Sequence, residues 1–245
     1  MNFNLSIIIP CYNEADNIPF ICEELDKIIL ENNFVQVLLV NNGSRDNSSE
    51  VFKLVLENNK FATHYKLVQV PENKGYGYGI LAGLAQADAD ILAWTHADMQ
   101  TDPADIIKAY RVYNQNHNSM LMVKGSRQQR ALGPAFFTWG MGFIASLSLK
   151  QKLVDIGAQP KLFSREFYEK YIKDKAPYDF SLDLFVQYWA KKEGLILEIP
   201  VVFKNRLHGE AKGGGSIQTR IKVTKRVLKF IFEMRKDLKS KNLLN

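Results

Sequence analysis

The chain has 245 residues, 46% of them hydrophobic and 24% charged, which is enough for one globular domain with a well-buried core. Its net charge of +6 is uneven, because residues 217–245 contain nine Lys or Arg against two acidic residues and residues 1–216 together carry −1. This distribution excludes a globally basic nucleic-acid-binding protein. Cys11 and Cys22 lack metal-ligand spacing and the chain leads straight into a strand, so we expect a cytosolic protein with reduced thiols.

Strand-like and helix-like segments alternate through the first half of the chain. A continuous β-branched run such as 5–9 is typical of a strand buried on both faces. The alternation predicts an α/β fold with a mainly parallel, Rossmann-like sheet flanked by helices, whose ligand site lies outside the carboxyl ends of the strands. The predicted strands are 5–9, 35–40, 65–70, 90–95 and 120–126, and the predicted helices are 17–31, 46–58, 79–87 and 102–114.

The second half is less regular. Residues 131–149 carry no charge, but their glycines, proline and hydroxyl side chains favour a core or interfacial helix over a membrane span. A strand is predicted at 195–203 and a glycine-rich loop at 208–216. Residues 217–238 predict a basic amphipathic helix, which fits either a membrane-surface element or a helix docked on its own domain. We therefore divide the chain into a domain of residues 1–216 and a basic tail of residues 217–245.

The tip of the fourth strand carries His96, Asp98 and Gln100 at spacings of two residues. Side chains at such spacing on an extended tip point to the same side, so they could hold a divalent cation that is bound together with a diphosphate. An imidazole suits Mn²⁺ better than Mg²⁺. The alternative is an ordinary turn, in which His96 bonds a backbone carbonyl and Asp98 acts as a cap.

Two further patterns have competing explanations. Gly77, Gly79 and Ala82 fit the G-x-G-x-x-G/A fingerprint of a nicotinamide-dependent oxidoreductase, but residues 71–74 separate it from its strand and weaken that interpretation. Cationic side chains after two strands either bind phosphate, which a guanidinium holds bidentately, or are solvated surface charges. They are Arg127 and Arg130 after the fifth strand, and Arg206, His208 and Lys212 after the last strand.

Seven segments carry a family resemblance when they are taken in chain order. They are SIIIPCYNEADNI (6–18), VNNGSRDNS (40–48), ENKGYGYGI (72–80), HADMQTDP (96–103), GSRQQR (125–130), DIGAQPKLFSR (155–165) and EIPVVFKNRLHGEAK (198–212). They resemble the family 2 inverting glycosyltransferases, and within that family the polyprenyl-phosphate sugar synthases of the dolichyl-phosphate mannose synthase type. The resemblance implies a GT-A fold, a nucleotide-sugar donor and a Mg²⁺ or Mn²⁺ cofactor.

The resemblance also implies roles for matching residues. Asp98 matches the last acid of the family's Asp-x-Asp metal motif, and Gln100 matches a glutamine that joins the metal site. Arg127 and Arg130 match positions for the acceptor phosphate, and Arg206 matches one for the donor diphosphate. The residues expected at the nucleotide sugar are Pro10, Tyr12, Glu14, Asn41, Lys74, Gly75, His96 and Asp98.

Two departures from the family pattern affect the expected chemistry. Asn41 and Asn42 stand where the family usually has two aspartates, the first of them facing the base. An amide both donates and accepts, so it could pair with uracil or cytosine. His96 replaces the first acid of the metal motif, which predicts weaker metal affinity or a shift toward Mn²⁺, with His96 on the ribose, a phosphate or the metal.

The resemblance implies a peripheral enzyme on the cytosolic membrane face, whose tail helix and 131–149 segment would contact the bilayer or a small membrane partner protein. It would transfer a sugar to a polyprenyl phosphate, whose oxygen is already anionic and needs no strong base. A sugar-hydroxyl acceptor in polysaccharide or glycan assembly would need a carboxylate base, for which Asp183 is the first candidate and Asp179 the second. More distant alternatives are the oxidoreductase and a non-catalytic nucleotide-sugar binder.

Overall fold

The computed structural model of the chain describes residues 2–116, 118–128, 132–206, 208 and 217–244. Within them, seven strands form one sheet in the order β3-β2-β1-β4-β6-β5-β7. The strands are β1 (Leu5–Cys11), β2 (Val35–Asn42), β3 (Tyr65–Val70), β4 (Ile91–Trp94), β5 (Leu121–Gln128), β6 (Lys161–Ser164) and β7 (Leu195–Val202). The helices are α1 (Ile18–Glu31), α2 (Ser48–Glu57), α3 (Tyr76–Gln86), α4 (Asp105–Asn114), α5 (Leu132–Leu149), α6 (Arg165–Phe167), α7 (Leu182–Glu193) and α8 (Ile217–Ser240).

β1 lies at the centre of the parallel part of the sheet. Its Ile8 pairs with Leu38 of β2 on one side and with Trp94 of β4 on the other. Alternate side chains of β1 enter two separate hydrophobic clusters, one on each face of the sheet. Helices cover both faces, which explains why the strand is apolar except for Ser6, whose hydroxyl donates to Gln36 Oε1 at 2.7 Å. The predicted α/β fold with a mainly parallel sheet is confirmed.

β6 runs antiparallel to both of its neighbours, β4 and β5. The sequence analysis did not predict this strand, because four residues that begin with Lys161 and end with Ser164 show no usable periodicity. The reversed direction has a consequence for the edge of the sheet. The segment that precedes β6, residues 155–160, lies at the same edge as the carboxyl ends of the parallel strands.

The last helix, α8, is docked on the domain. Its Val227, Ile231 and Leu238 are buried in one hydrophobic cluster with Ala145 and Leu149 of α5. The structure therefore agrees with the interpretation of residues 217–238 as a helix that docks on its own domain through its apolar side. Residues 132–149 form one helix, as expected, and none of the helices in the described part of the chain is both long and apolar enough to cross a membrane.

Candidate active site

A cavity of about 490 Å³ opens where the parallel strands end. It collects the tips of β1, β2, β4, β5 and β7 and the segment after β3, so the polar tips converge as expected. It brings together nine of the predicted site residues, namely Pro10, Tyr12, Glu14, Gly75, His96, Asp98, Gln100, Arg127 and Arg206. The other lining residues are Cys11, Asn42, Asn73, Tyr76, Ala97, Phe180 and Phe203.

Arg206 joins two carboxylates in this cavity. Its Nη1 donates to Asp98 Oδ2 at 3.1 Å, and its Nη2 donates to Glu14 Oε1. All three side chains are mostly buried, so their charges are little screened by solvent. Arg206 Nε also donates to the backbone oxygen of His208 at 2.7 Å, and Asn17 Nδ2 donates to Glu14 Oε2 at 2.5 Å. A cationic group is thus held between the tips of β1 and β4.

Asp98 lies in a tight turn directly after β4. Met99 has a positive φ of 60°, and the backbone N–H of Gln100 donates to Asp98 Oδ1 at 3.1 Å. Gln100 Nε2 donates to the backbone oxygen of Lys204 at 3.3 Å, so its side-chain oxygen remains a possible ligand. His96 lines the same wall. Asp98 and Gln100 therefore offer the hard oxygen ligands that Mg²⁺ and Mn²⁺ prefer, and His96 offers a nitrogen ligand suited to Mn²⁺.

These ligands fit a divalent cation as a partial coordination shell. Over the described residues, no three His, Cys, Asp or Glu side chains are grouped as a metal site. Asp98 is also paired with Arg206. A cation held by Asp98, Gln100 and His96 would take its remaining ligands from a diphosphate, which is how Mg²⁺ is usually bound at phosphate sites.

Asn42 reaches the cavity wall, whereas Asn41 points elsewhere. Asn41 Nδ2 donates to Ser49 Oγ at 2.7 Å and its Oδ1 accepts from the backbone N–H of Ser44 at 3.2 Å, so it organises the turn after β2. Asn42 Nδ2 donates to the backbone oxygen of Gly75 at 3.0 Å, while its buried Oδ1 accepts no hydrogen bond from the described residues. A buried acceptor of this kind is costly unless a ligand N–H completes it. Of the two asparagines, Asn42 therefore lines the described cavity and Asn41 does not.

An aromatic wall closes the side of the cavity that follows β3. Tyr76 stacks on Phe180, with ring centroids 4.9 Å apart and an interplanar angle of 8°. Gly75 has a φ of +131°, and a Cβ added there would lie 2.3 Å from the backbone oxygen of Tyr178. Only glycine therefore allows this close approach of the two segments. Burial and the charge of Asp183 raise the pKa of Tyr76 well above its ordinary value, which keeps the phenol neutral.

Two further predicted site residues are Lys74 and Arg130, of which the structure describes only Lys74. The Lys74 side chain is exposed and its Nζ lies 5.3 Å from the ring centroid of Tyr78, while Asn73 and Gly75 on either side line the cavity. Lys74 therefore borders the site through its neighbours in the chain. Arg130, expected at the acceptor phosphate, lies outside the described residues.

Asp155 holds Arg127 at the cavity, and the sequence analysis gave Asp155 no role. The backbone N–H and Nε of Arg127 donate to Asp155 at 2.9 and 2.8 Å, and Nη2 completes the pair. The guanidinium also lies 5.5 Å from the ring centroid of Phe203. Burial alone would raise the pKa of Asp155, but Arg127 outweighs burial and holds this pKa below its ordinary value. The resemblance marked residues 155–165, but nothing in the sequence paired them with Arg127.

Asp183 lies in a buried ion pair and is not among the residues that line the described cavity. Lys161 Nζ donates to Asp183 Oδ1 at 2.5 Å and to the backbone oxygens of Ile156 and Ala158 at 2.9 and 3.1 Å. Gln159 Nε2 donates to the same carboxylate oxygen at 3.1 Å. Burial lowers the pKa of Lys161 from its ordinary value, and Asp183 opposes this effect. A carboxylate so engaged is poorly placed to take a proton from a substrate.

The fold is the GT-A fold of nucleotide-sugar-dependent glycosyltransferases. A glucosyl-3-phosphoglycerate synthase from Mycobacterium tuberculosis, solved with Mn²⁺, UDP-glucose and phosphoglyceric acid, matches with a TM-score of 0.70, 13% identity and coverage of 95% of this chain and 79% of that one. A mannosyltransferase from Pyrobaculum calidifontis, solved with GDP-Man and Mn²⁺, matches with a TM-score of 0.59, 21% identity and coverage of 88% and 59%.

The chain belongs to glycosyl transferase family 2, whose model matches residues 6–172. It is 26% identical over 215 residues to the undecaprenyl-phosphate 4-deoxy-4-formamido-L-arabinose transferase of Pseudomonas aeruginosa, covering 85% of this chain and 60% of that protein. The protein of the same name from Yersinia enterocolitica is 30% identical over 127 residues, which are 51% of this chain and 38% of that protein. The chain thus spans only part of these relatives.

Proposed function

We propose that this glycosyltransferase moves a sugar from a nucleotide-sugar donor to a polyprenyl phosphate, with inversion at the anomeric carbon. The observation that carries the proposal is the pair of arginines at one cavity. Arg206 stands beside Asp98 and Glu14, and Arg127 is fixed by Asp155. Two separate guanidinium groups suit a reaction in which both the leaving group and the acceptor carry phosphate.

The donor would enter along β1, β2 and the segment after β3. Asn42 Oδ1, which lacks a partner among the described residues, would accept an N–H of the base, and Gly75 would lie near the nucleoside. Pro10, Tyr12 and Glu14 would line the nucleotide from β1. The diphosphate would lie at the tip of β4 and replace Asp98 as a partner of Arg206.

Asp98, Gln100 and His96 would hold a divalent cation together with the diphosphate. Such a cation supplies positive charge to the leaving diphosphate. Arg206 would supply further positive charge at the same group, and its contacts with Glu14 and His208 keep it in place. Of the two ions, the nitrogen ligand favours Mn²⁺.

The acceptor phosphate would bind Arg127. An anionic oxygen of the acceptor phosphate attacks the anomeric carbon and forms a new carbon–oxygen bond. The bond between this carbon and the diphosphate breaks, and its electron pair leaves with the nucleoside diphosphate. A single in-line displacement of this kind inverts the configuration. No proton is transferred, so positioning and electrostatic stabilisation supply the catalysis.

A sugar-hydroxyl acceptor is the second candidate, and the structure offers one specific argument against it. That reaction needs a general base within hydrogen-bond reach of the hydroxyl. The predicted base, Asp183, is engaged by Lys161 and Gln159 behind the cavity wall. This observation favours the phosphate acceptor.

The first experiment is a thermal-shift panel of UDP-, GDP- and CDP-sugars, each with Mg²⁺, Mn²⁺ or EDTA. A ligand at a hundred times its Kd stabilises the folded state by about 2.7 kcal/mol, which raises Tm by roughly 5–11 °C for a domain of this size. We expect a metal-dependent shift with one nucleotide that is lost in Asp98→Asn. The matched control is Asp102→Asn, because Asp102 lies in the same segment but caps Ala104 and does not line the described cavity.

The second experiment offers the selected donor to a polyprenyl phosphate and to oligosaccharides, with NMR assignment of the product's anomeric configuration. Transfer to the lipid phosphate with inversion is the expected result. Transfer only to a sugar hydroxyl would replace this proposal with the second candidate. A folded protein that binds no nucleotide sugar would refute both.

A further inference from the structure

Arg206 is held by three groups at the edge of the cavity. Its Nη1 donates to Asp98 Oδ2 at 3.1 Å, and its Nη2 donates to Glu14 Oε1. Its Nε donates to the backbone oxygen of His208 at 2.7 Å. Only 12% of the Arg206 side chain is exposed, against 11% for Asp98 and 9% for Glu14. One fixed positive charge is therefore enclosed between two carboxylates from different strand tips.

Two of these three contacts are secured by α1 and the residue before it. Asn17 Nδ2 donates to Glu14 Oε2 at 2.5 Å and to the backbone oxygen of His208 at 3.3 Å, so one amide ties both groups together. The His208 ring stacks on Phe20 of α1, with ring centroids 5.4 Å apart and an interplanar angle of 26°. The contacts of Arg206 with Glu14 and His208 thus belong to one connected network, which can keep the guanidinium in place when its third contact changes.

The third contact of Arg206 is with Asp98, which is also the carboxylate among the candidate metal ligands. It is the longest of the three hydrogen bonds that the structure describes for this guanidinium. A divalent cation bound to Asp98 without an anion would lie near the guanidinium, and like charges repel strongly where solvent screens them little. A cation that arrives with a diphosphate brings negative charge, which a guanidinium binds bidentately. Arg206 can then exchange Asp98 for the diphosphate.

We propose that Arg206 excludes a free divalent cation from Asp98 and yields this carboxylate only to a cation that enters together with a diphosphate. The inference rests on the proposed function, because it takes the diphosphate of the donor as the anion. The two affinities are then coupled, and each ligand raises the affinity for the other by the same factor. The free protein holds no cation, and the cation leaves together with the nucleoside diphosphate when the product is released.

The test is equilibrium dialysis of the full chain against MnCl₂, with free Mn²⁺ measured by electron paramagnetic resonance. Arg206→Met leaves the carboxylates of Asp98 and Glu14 without their shared cation. We therefore expect this variant to bind Mn²⁺ alone at least tenfold more tightly than the wild type does. At equal free Mn²⁺, one of UDP, GDP and CDP should raise the Mn²⁺ bound to the wild type at least tenfold. The same nucleotide should have a smaller effect on Arg206→Met.

The matched control is Arg127→Met, because Arg127 lines the same cavity but pairs with Asp155. This variant should bind Mn²⁺ alone much as the wild type does, and equal gains in the two arginine variants would overturn the proposal. Adding Asp98→Asn to Arg206→Met should abolish the gained binding, which locates the cation. If Arg206→Met does not fold, the wild type decides. Binding of Mn²⁺ alone as tight as binding with a nucleoside diphosphate would overturn the proposal.

The Mn²⁺ measurement needs no acceptor and no turnover, so the two proposals can fail separately. Exclusion of free Mn²⁺ that depends on Arg206, without transfer to polyprenyl phosphate, would sustain this inference and remove the proposed acceptor. Transfer with inversion by a wild type that binds Mn²⁺ alone as tightly as Arg206→Met does would sustain the proposed function and overturn the inference. A folded Arg206→Met that binds no Mn²⁺, beside a wild type that binds none with any nucleotide, would overturn both.

Discussion

Replacing Lys161 by Met tests whether the buried ion pair behind the cavity holds the site together. The substitution removes the ammonium from Asp183 and leaves that carboxylate with neutral partners, among them Gln159 Nε2 at 3.1 Å and the Tyr76 phenol. Lys161 is fully buried and Asp183 nearly so. Removing one member of a buried pair costs about 3–5 kcal/mol. For a chain of 245 residues this lowers Tm by roughly 6–20 °C.

The assay is chemical denaturation and calorimetry of Lys161→Met beside Lys161→Met, Asp183→Leu. The double variant carries no buried charge at this place, so it should recover most of the lost stability. The backbone oxygens of Ile156 and Ala158 lose their donor in both variants, which makes the comparison specific for the carboxylate. A single variant that melts within about 2 °C of the wild type would refute the reasoning.

Three further predictions concern the cavity. Gly75→Ala should lower the free energy of unfolding by about 1–3 kcal/mol and weaken donor binding, because φ at this position is +131° and a Cβ would lie 2.3 Å from a backbone oxygen. Denaturation measures the first effect and donor titration the second. By titration calorimetry, Asn42→Ala should weaken nucleotide-sugar binding about tenfold, whereas Asn41→Ala should lower stability and spare binding. Arg127 lowers the pKa of Asp155 from its ordinary value of 3.8. The ion pair therefore contributes about 1.5–3 kcal/mol to the free energy of unfolding above pH 3.8, and this contribution is lost as the pH falls through the folded-state pKa. The free energies of unfolding of the wild type and Asp155→Asn, measured with urea, should converge at low pH.

The parallel part of the fold was predictable because its strands are buried on both faces. Continuous apolar runs such as 35–40 leave little ambiguity, and helices of regular period separate them. β6 was not predictable in this way. Its Lys161 is a buried lysine at the start of a four-residue strand, and the ion pair with Asp183 that permits this burial joins residues 22 positions apart. Periodicity contains no information about such a partner.

The site was predictable where it follows a parallel strand. Asp98, Arg127 and Arg206 each stand after or at the end of such a strand, and all three line the cavity. Asp155 was missed because it precedes an antiparallel strand, whose beginning lies at the edge where its neighbours end. Asn41 and Asn42 could not be distinguished, because a shift of one residue along a strand exchanges its two faces. The structure distinguishes them, because the Asn41 side chain bonds Ser44 and Ser49 while Asn42 lines the cavity.

The closed loop that leaves β5 after Arg127 and returns at Asp155 has an evolutionary consequence. Since the ion pair joins the two ends, the exposed parts of the stretch between them can change without moving either end, while Ala145 and Leu149 keep α5 in the core. Descendants of one ancestral member of the family could then acquire new ligand preferences by changes in the exposed side of α5, while the β1–β4 part of the cavity is inherited unchanged. Comparison of orthologues should therefore show insertions and deletions concentrated between these two residues.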